Sequence, residues 1–286
     1  MTVVSSPSVT VCVPAWNAEA FIERTLSSLA RQTHDNFQVL ISVDRSTDST
    51  IDICRRFKAD DSRFDVISQP KRLGWVGNCN ELLRRADGKY CVFAFHDDVL
   101  EPTFLAELSL ALESDPTAVL SFSDMDITYL DGSVKAVSYS NLDGLSDPAS
   151  RTLSIMRAEG EWYAPNRGLF RTEIGKAVGG LRRHLAGEFS ADQPWLIHLS
   201  LYGEFVRVPK VLCHKLFMKT SLSLGWRNGP WHNRALGLAC MREVARARVP
   251  VSLKISVLIP FLVYRARAAV GRLLRGKTVR TSAQDD

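Results

Sequence analysis

Short apolar runs and amphipathic stretches alternate from the start of the chain. Residues 9–13 are apolar and rich in β-branched side chains, and Pro14 ends the run, which predicts a buried strand. Residues 18–32 follow, with Phe21, Ile22, Leu26 and Leu29 at helical spacing. The same reading gives a strand over 37–43, a helix over 49–57 and a strand over 64–67. A third helix includes 80–85 and is ended by Gly88, and a fourth strand covers 90–95. This alternation predicts an α/β fold with a central, mostly parallel sheet flanked by helices. Ligands of such sheets bind at the carboxyl edge, so the loops to inspect follow Val13, Val43, Ile67 and Phe95.

Beyond residue 100 the pattern changes. It predicts a helix over 103–113, a strand over 118–123, and a hairpin of 127–130 with 134–137 turning at Asp131-Gly132. Residues 141–148 read as a polar loop and 169–171 as a short strand. A helix is expected over 192–202, strands over 205–208 and 211–217, and helix from 231 to about 275 with breaks or kinks at Pro250 and Pro260. The chain has no internal repeat and no low-complexity segment.

Composition narrows the class without choosing a function. Among 286 residues, 45% are apolar and 23% charged, which excludes a disordered, collagen-like or disulfide-scaffold chain. The net charge of +5 is unevenly placed. Residues 242–286 hold ten Lys or Arg against three Asp or Glu, a local +7, which leaves −2 for the remainder. A basic tail suits an anionic partner, a lipid surface or a nucleic acid. None of the six cysteines forms a C-x-x-C pair, and reduced core thiols in a cytosolic setting are expected. No signal peptide is expected, and the apolar run 257–263 falls far short of the roughly 20 residues of a spanning helix.

Five polar clusters carry candidate chemistry. Pro14-Ala15-Trp16-Asn17-Ala18-Glu19 reads equally as a helix cap built on Asn17 or as a ligand loop. In Asp44-Arg45-Ser46-Thr47-Asp48 a cap needs only Ser46 or Asp48. The carboxylate of Asp44 is free to accept an N–H from uracil, thymine or guanine. Arg72-Leu73-Gly74-Trp75-Val76-Gly77-Asn78-Cys79-Asn80 is a glycine turn into a helix, and it can equally bring backbone N–H groups to a phosphate. His96-Asp97-Asp98 places two repelling carboxylates at the end of a buried strand. A hard divalent cation would offset that repulsion, and alternation would aim the second carboxylate at a sugar hydroxyl. Two solvated turn carboxylates are the plainer alternative. Glu188-Phe189-Ser190-Ala191-Asp192-Gln193-Pro194-Trp195 places a carboxylate at a helix start, where Asp192 reads as a cap with Pro194 in the first turn.

Taken in order, these clusters resemble the family 2 glycosyltransferases of the GT-A fold. The segments that carry the likeness are Val11-Cys-Val-Pro-Ala-Trp-Asn17, Asp44-x-Ser-Thr-Asp48, Gly74-x-x-Gly-Asn-x-Asn80, His96-Asp-Asp98 with Glu101-Pro102, and Gly179-Gly180-Leu181 followed by Ala191-Asp192. The resemblance implies inverting transfer of a sugar from a nucleoside-diphosphate donor, UDP or dTDP favoured, to a hydroxyl of a glycan or lipid-linked acceptor. It implies a donor site from Pro14, Ala15, Trp16, Asn17, Asp44, Ser46, Gly74, Asn78, Asn80, His96 and Asp97. Asp44 would hold the base and Asp97 the ribose or donor sugar. Asp98 would bind Mn²⁺ or Mg²⁺, and Asp192 would act as general base. The family often places a diphosphate-binding His where Met218 stands, so His214, Lys215 and Lys219 are the substitutes. Topology puts Glu161, Trp162 and Asn166 on the acceptor side. The corresponding division is 1–100 for the nucleotide-sugar half, 101–220 for the acceptor and base half of the same domain, and 221–286 for a helical basic tail.

Two other functions compete with this one: a sugar-phosphate nucleotidyltransferase, and a non-catalytic nucleotide-sugar-binding protein. The former would prefer a Gly-rich, Lys/Arg-bearing loop after the first strand, which Pro14-Ala-Trp-Asn17 is not. The expected location is cytoplasmic, with no nucleic-acid partner. Residues 250–277 are read either as a basic amphipathic segment on the inner face of an anionic membrane or as a helix packed on the domain.

Overall fold

The computed structural model describes residues 8–217 and 229–281, with side chains to residue 270. Among the described residues nine strands form a single sheet: β1 (Val9–Ala15), β2 (Phe37–Val43), β3 (Phe64–Ser68), β4 (Tyr90–Phe93), β5 (Asp98–Leu100), β6 (Ala118–Thr128), β7 (Val134–Val137), β8 (Leu169–Arg171) and β9 (Glu204–Leu216). The order is β3-β2-β1-β4-β8-β6-β9-β5, and β7 pairs with β6 beside this path. The first four strands are all parallel, as the alternation of the N-terminal half requires. The second half is mixed, because β8 runs antiparallel between β4 and β6, and β5 runs antiparallel to β9.

Helices α1 (Ile22–Ala30), α2 (Thr50–Asp60), α3 (Gly74–Arg85), α4 (Phe104–Ser114), α5 (Pro148–Met156), α6 (Thr172–Ala177) and α7 (Asp192–Ser200) cover the sheet, and α8 (Pro230–Arg246) and α9 (Val251–Thr281) complete the chain. α1 starts later than its apolar spacing suggests. The N–H groups of Ala18 and Glu19 are committed to Thr50 Oγ1 at 2.7 Å and Asp48 Oδ2 at 3.1 Å, outside the helix. α5 begins where a polar loop was expected to end. Asp147 accepts from Ser150 N at 2.8 Å with Pro148 in the first turn, a helix start of the usual chemistry. The two short strands expected around Pro209 are one strand. Ser123 pairs with Val208 and Asp124 with Val211, so Pro209 and Lys210 lie outside the ladder in a bulge where a missing N–H costs nothing. The break between α8 and α9 falls before Pro250, whereas Pro260 lies inside α9.

Two features of this packing set up the site. β5 follows β4 by only four residues yet pairs at the far end of the sheet, so the sheet curls and residues 94–97 bridge its two halves. Asp97 and Asp98 sit at the end of that bridge, with Asp98 opposite Lys215 of β9. The rings of Phe93, Phe170 and Trp195 meet at 5.1–5.7 Å and fasten α7 to the sheet. All nine residues of α7 are buried, including Asp192 at its head.

Candidate active site

The loops after β1, β2 and β3 lace into one another. Asn17 Oδ1 accepts from Thr47 N at 2.9 Å, while Asn17 N donates to Ser46 Oγ at 3.0 Å. Asn17 therefore crosses to the next loop and does not cap α1. The carboxylate of Asp44 is buried and ties down the third loop. It accepts from Leu73 N at 2.6 Å and Gly74 N at 2.9 Å, and it pairs with Arg72 Nε at 3.0 Å. The Arg72 guanidinium lies 3.4 Å from the centre of the Trp16 ring, which is 37% exposed, so a flat cationic–aromatic surface faces outward here.

Backbone strain gathers at these turns. Asn17, Arg45 and Ser190 have φ of 45°, 52° and 45°, and each stands in a loop that carries candidate residues. Left-handed backbone costs a non-glycine residue about 1–2 kcal/mol, least for Asn, so the surrounding bonds must hold these turns in place. Gly74, at φ 75°, is where the third loop touches the Arg183–Glu188 ion pair, and a Cβ would collide with both side chains. Asn80 Nδ2 donates to Leu181 O at 2.8 Å and its Oδ1 accepts from Leu181 N at 2.9 Å. Asn80 thus clamps the Gly179-Gly180 turn, and Asn78 donates to Ser42 O at 2.9 Å. Both asparagines shape the site from behind.

The fourth loop holds the charge. His96 Nδ1 lies 3.0 Å from Pro14 O and its ring stacks on Phe21, which joins the first and fourth loops. Asp97 meets Lys215 Nζ at 2.8 Å. Burial works against its charge, but Lys215, His96 and Arg167 together hold its pKa below the usual carboxylate value. Asp98 is fully buried and meets Arg167 Nε at 2.7 Å, and its Oδ1 has no hydrogen-bond partner. Burial raises the pKa of Asp98 despite that pairing, and the neighbouring Asp97 adds to the rise. Asp192 is 8% exposed with an unpartnered Oδ1, and burial pushes its pKa up to about 6. The Arg167 guanidinium counteracts part of that rise, so one arginine acts electrostatically on both Asp98 and Asp192. Elsewhere on α7, Gln193 Nε2 donates to Ile155 O at 2.7 Å and Ser200 Oγ lies 2.9 Å from Thr152 Oγ1, whereas the buried Trp195 Nε1 has no hydrogen-bond partner.

The remaining candidates divide. Lys215 reaches the tandem aspartates, whereas His214, its neighbour on β9, bonds Glu101 at 2.7 Å instead. Lys219 and Met218 lie outside the described residues. Glu161 pairs with Lys135 at 2.6 Å, Trp162 is half-buried against Tyr163, and Asn166 is buried with an unpartnered Oδ1. Arg167 ends the same short 3-10 turn, Ala164–Arg167, so the segment expected near the acceptor also supplies the cation on Asp98. Arg167 is the residue that sequence reasoning missed, and Arg72, which opens the third cluster, had been given no role. A buried aspartate pair demands a cation, but nothing in the spacing tells which of the many arginines supplies it. A cavity lined in part by Arg151, Arg171 and Glu204 opens at the amino-terminal edge of the sheet. Its two guanidinium groups already donate to backbone carbonyls, so it is not the centre of the chemistry.

The donor chemistry of the site can be tested against a hard divalent ion. Among the described residues no group of three or more His, Cys, Asp or Glu side chains gathers to hold a metal. The tandem pair fits a more open arrangement. The orphaned Oδ1 of Asp98 would be the protein ligand, with substrate phosphate oxygens and water completing the shell, as magnesium commonly requires.

An α/β domain with a curled mixed sheet, laced loops at its carboxyl edge and buried carboxylates at the bridge is the GT-A type of glycosyltransferase fold. Residues 10–133 match the model of Glycosyl transferase family 2. The chain is 33% identical over 94 residues to the UDP-Glc:alpha-D-GlcNAc-diphosphoundecaprenol beta-1,3-glucosyltransferase WfgD of Escherichia coli, covering 32% of this chain and 35% of that one. It spans half the length or less of the curated relatives it matches. In structure it is similar to Staphylococcus aureus TarS 1–349 in complex with UDP-GlcNAc, with a TM-score of 0.70, 20% identity, and 89% and 71% of the two chains covered. It is also similar to the mannosyltransferase PcManGT of Pyrobaculum calidifontis in complex with GDP-Man and Mn²⁺, with a TM-score of 0.54, 17% identity, and 96% and 81% covered.

Proposed function

We propose that this protein is an inverting glycosyltransferase that moves a sugar from a nucleoside-diphosphate donor, UDP or dTDP favoured, to a hydroxyl of a glycan or lipid-linked acceptor. One observation carries the reading. Asp192 is a buried carboxylate with an oxygen that has no hydrogen-bond partner and a pKa of about 6, under the electrostatic influence of the arginine that holds Asp98. A base poised near neutral pH is what deprotonation of a sugar hydroxyl requires. In the reaction the acceptor oxygen bonds to the anomeric carbon as the bond from that carbon to the diphosphate oxygen breaks. The hydroxyl proton passes to Asp192 and the bonding pair leaves with the diphosphate. A single displacement of this kind inverts the anomeric centre.

The donor's base would rest near Trp16 and Arg72, and Asp44 would act by fixing the loop beneath it. Lys215 would turn from Asp97 to the diphosphate as the donor enters. Mn²⁺ or Mg²⁺ on Asp98 would supply neutralisation of the charge that develops on the leaving diphosphate, with Asp97 on the ribose or donor sugar. Support for the donor and metal comes from the UDP-GlcNAc and GDP-Man/Mn²⁺ complexes of the similar structures, and for the acceptor from the diphosphoundecaprenol named for the E. coli relative. The same names point to cell-envelope polysaccharide synthesis and favour transfer over the nucleotidyltransferase and non-catalytic readings.

The test is Asp192→Asn, assayed for turnover and for donor binding by thermal shift with UDP-, dTDP- and GDP-sugars, with and without Mn²⁺. Turnover is expected to fall by about 10² to 10⁴ while donor binding stays. Equal turnover in the two proteins overturns the reading.

A further inference from the structure

α9 presents two different apolar faces. One packs inward, with Val257 and Phe261 buried among the helices, Lys254 Nζ bonded to Ala245 O at 2.8 Å, and Arg265 bonded to Asn233 O at 3.2 Å. The other faces solvent. Val251, Ile255, Ile259, Leu262, Val263 and Val270 are each between 45% and 68% exposed. Their spacing of four, four, three, one and seven residues keeps them on one side of the helix, a stripe about 30 Å long at 1.5 Å per residue. A row of six large exposed apolar side chains on one helix is more than the scattered single exposures of an ordinary surface.

The charge on the same helix identifies what covers the stripe. Arg265, Arg267, Arg272, Arg275, Lys277 and Arg280 follow with no acidic residue between Val251 and Thr281. An apolar stripe on a helix whose sequence runs on into a cationic, acid-free stretch suits a surface that is apolar inside and anionic at its rim. A second copy of this chain would instead set cation against cation. No helix among the described residues is long and apolar enough to cross a membrane, so the helix would lie on the lipid. We propose that α9 docks on an anionic lipid surface, with the stripe in the acyl boundary and Arg267 and the cations after it on lipid phosphates. This rests on exposure and charge alone and stands whether or not the protein transfers a sugar.

The experiment is co-sedimentation of the full chain with vesicles of phosphatidylglycerol and phosphatidylethanolamine, or of phosphatidylcholine alone, at low and high salt. The wild type is expected to bind the anionic vesicles at least tenfold better than the neutral ones, with the preference falling at high salt. Ile259→Asp with Leu262→Asp, at exposed positions, is expected to lose at least tenfold in binding with an unchanged melting temperature. Arg267→Gln with Arg272→Gln is expected to lose the preference for anionic vesicles. Equal binding by the wild type and the aspartate variant overturns the proposal, as does wild-type protein that binds neither vesicle. A dimer in light scattering that the aspartate variant splits would assign the stripe to a second copy and overturn it too.

Discussion

The carboxyl edge handles charge in two different ways. In the loops after β1, β2 and β3 the carboxylates are held chiefly by backbone N–H groups, with Arg72 added on Asp44. Asp44 takes Leu73 and Gly74, Asp48 takes Glu19 and Thr50, and Glu19 takes Ser49. At the bridge between the sheet halves, Asp97 and Asp98 each meet a cationic side chain, and Asp192 is left with an open oxygen. A backbone amide cannot leave its carboxylate unless the loop changes shape, whereas a lysine or arginine can swing to another anion. The first region is therefore a fixed scaffold. The second is a set of charges able to pair again when an anionic ligand arrives.

The largest effect should come from breaking the second region at its centre. Arg167→Met leaves Asp98 buried without its cation and is expected to cost about 3–5 kcal/mol of stability. Urea unfolding measures it. Arg167→Met combined with Asp98→Leu should recover most of that loss, because the buried charge goes with its partner. If the double variant is as unstable as the single one, Arg167 acts by packing, and the contrast between the two regions weakens.

Next in size is Asp192. Its folded pKa of about 6 lies above the value near 3.8 expected for the unfolded chain, so the fold favours the protonated form. Wild-type stability should therefore fall as pH rises from about 4 through 6. A carboxylate kept in a site that opposes its charge costs roughly 3 kcal/mol above pH 7. Asp192→Asn should match the wild type near pH 3.5 and melt higher at pH 8. In the wild type, kcat/KM should rise about tenfold per pH unit below 6 and level off above it. A variant with no stability gain at pH 8 would show that Asp192 is already solvated.

Asp44→Asn tests the scaffold. The amide keeps one acceptor for Leu73 or Gly74 but turns an N–H toward the other amide and Arg72. The expected cost is about 1.5–3 kcal/mol, the worth of a hydrogen bond to a charged group. Thermal unfolding reads the loss of stability, and titration with UDP reads the accompanying weaker donor binding. A cost as large as that of Arg167→Met would show that the fixed scaffold depends as heavily on one charge as the bridge does.

The two regions were also unequally legible in the sequence. The β-α alternation to residue 95 can be read because each strand and helix there has its own period, and residues 37–43 are a strand in both sequence and structure. β5 was missed because three residues, Asp98–Leu100, have no period, and their strand character comes from Cys213–Lys215 far along the chain. Asp192 could be singled out because it opens an apolar helix. Arg167 could not, because its partner is 69 residues away and its guanidinium looks like any other until the fold buries it. The roles of Asn17, Asn78 and Asn80 were open for a related reason. A polar residue in a loop can face a ligand or a neighbouring loop, and the choice is made by tertiary contact.

The smallest effect is expected at Asn17, where two contributions oppose each other. Asn17→Gly removes the bond from Thr47 N to the side chain, about 1 kcal/mol, but relieves a left-handed φ of 45° that a side chain resists by a similar amount. The net change should lie within about 0.5 kcal/mol in thermal unfolding. Asn17→Ala loses the same bond and keeps the strain, so it should be the less stable of the two by about 1 kcal/mol. If glycine and alanine prove equal, φ at Asn17 is not what the scaffold holds in place, and its rigidity rests on Asp44 and Asp48 instead.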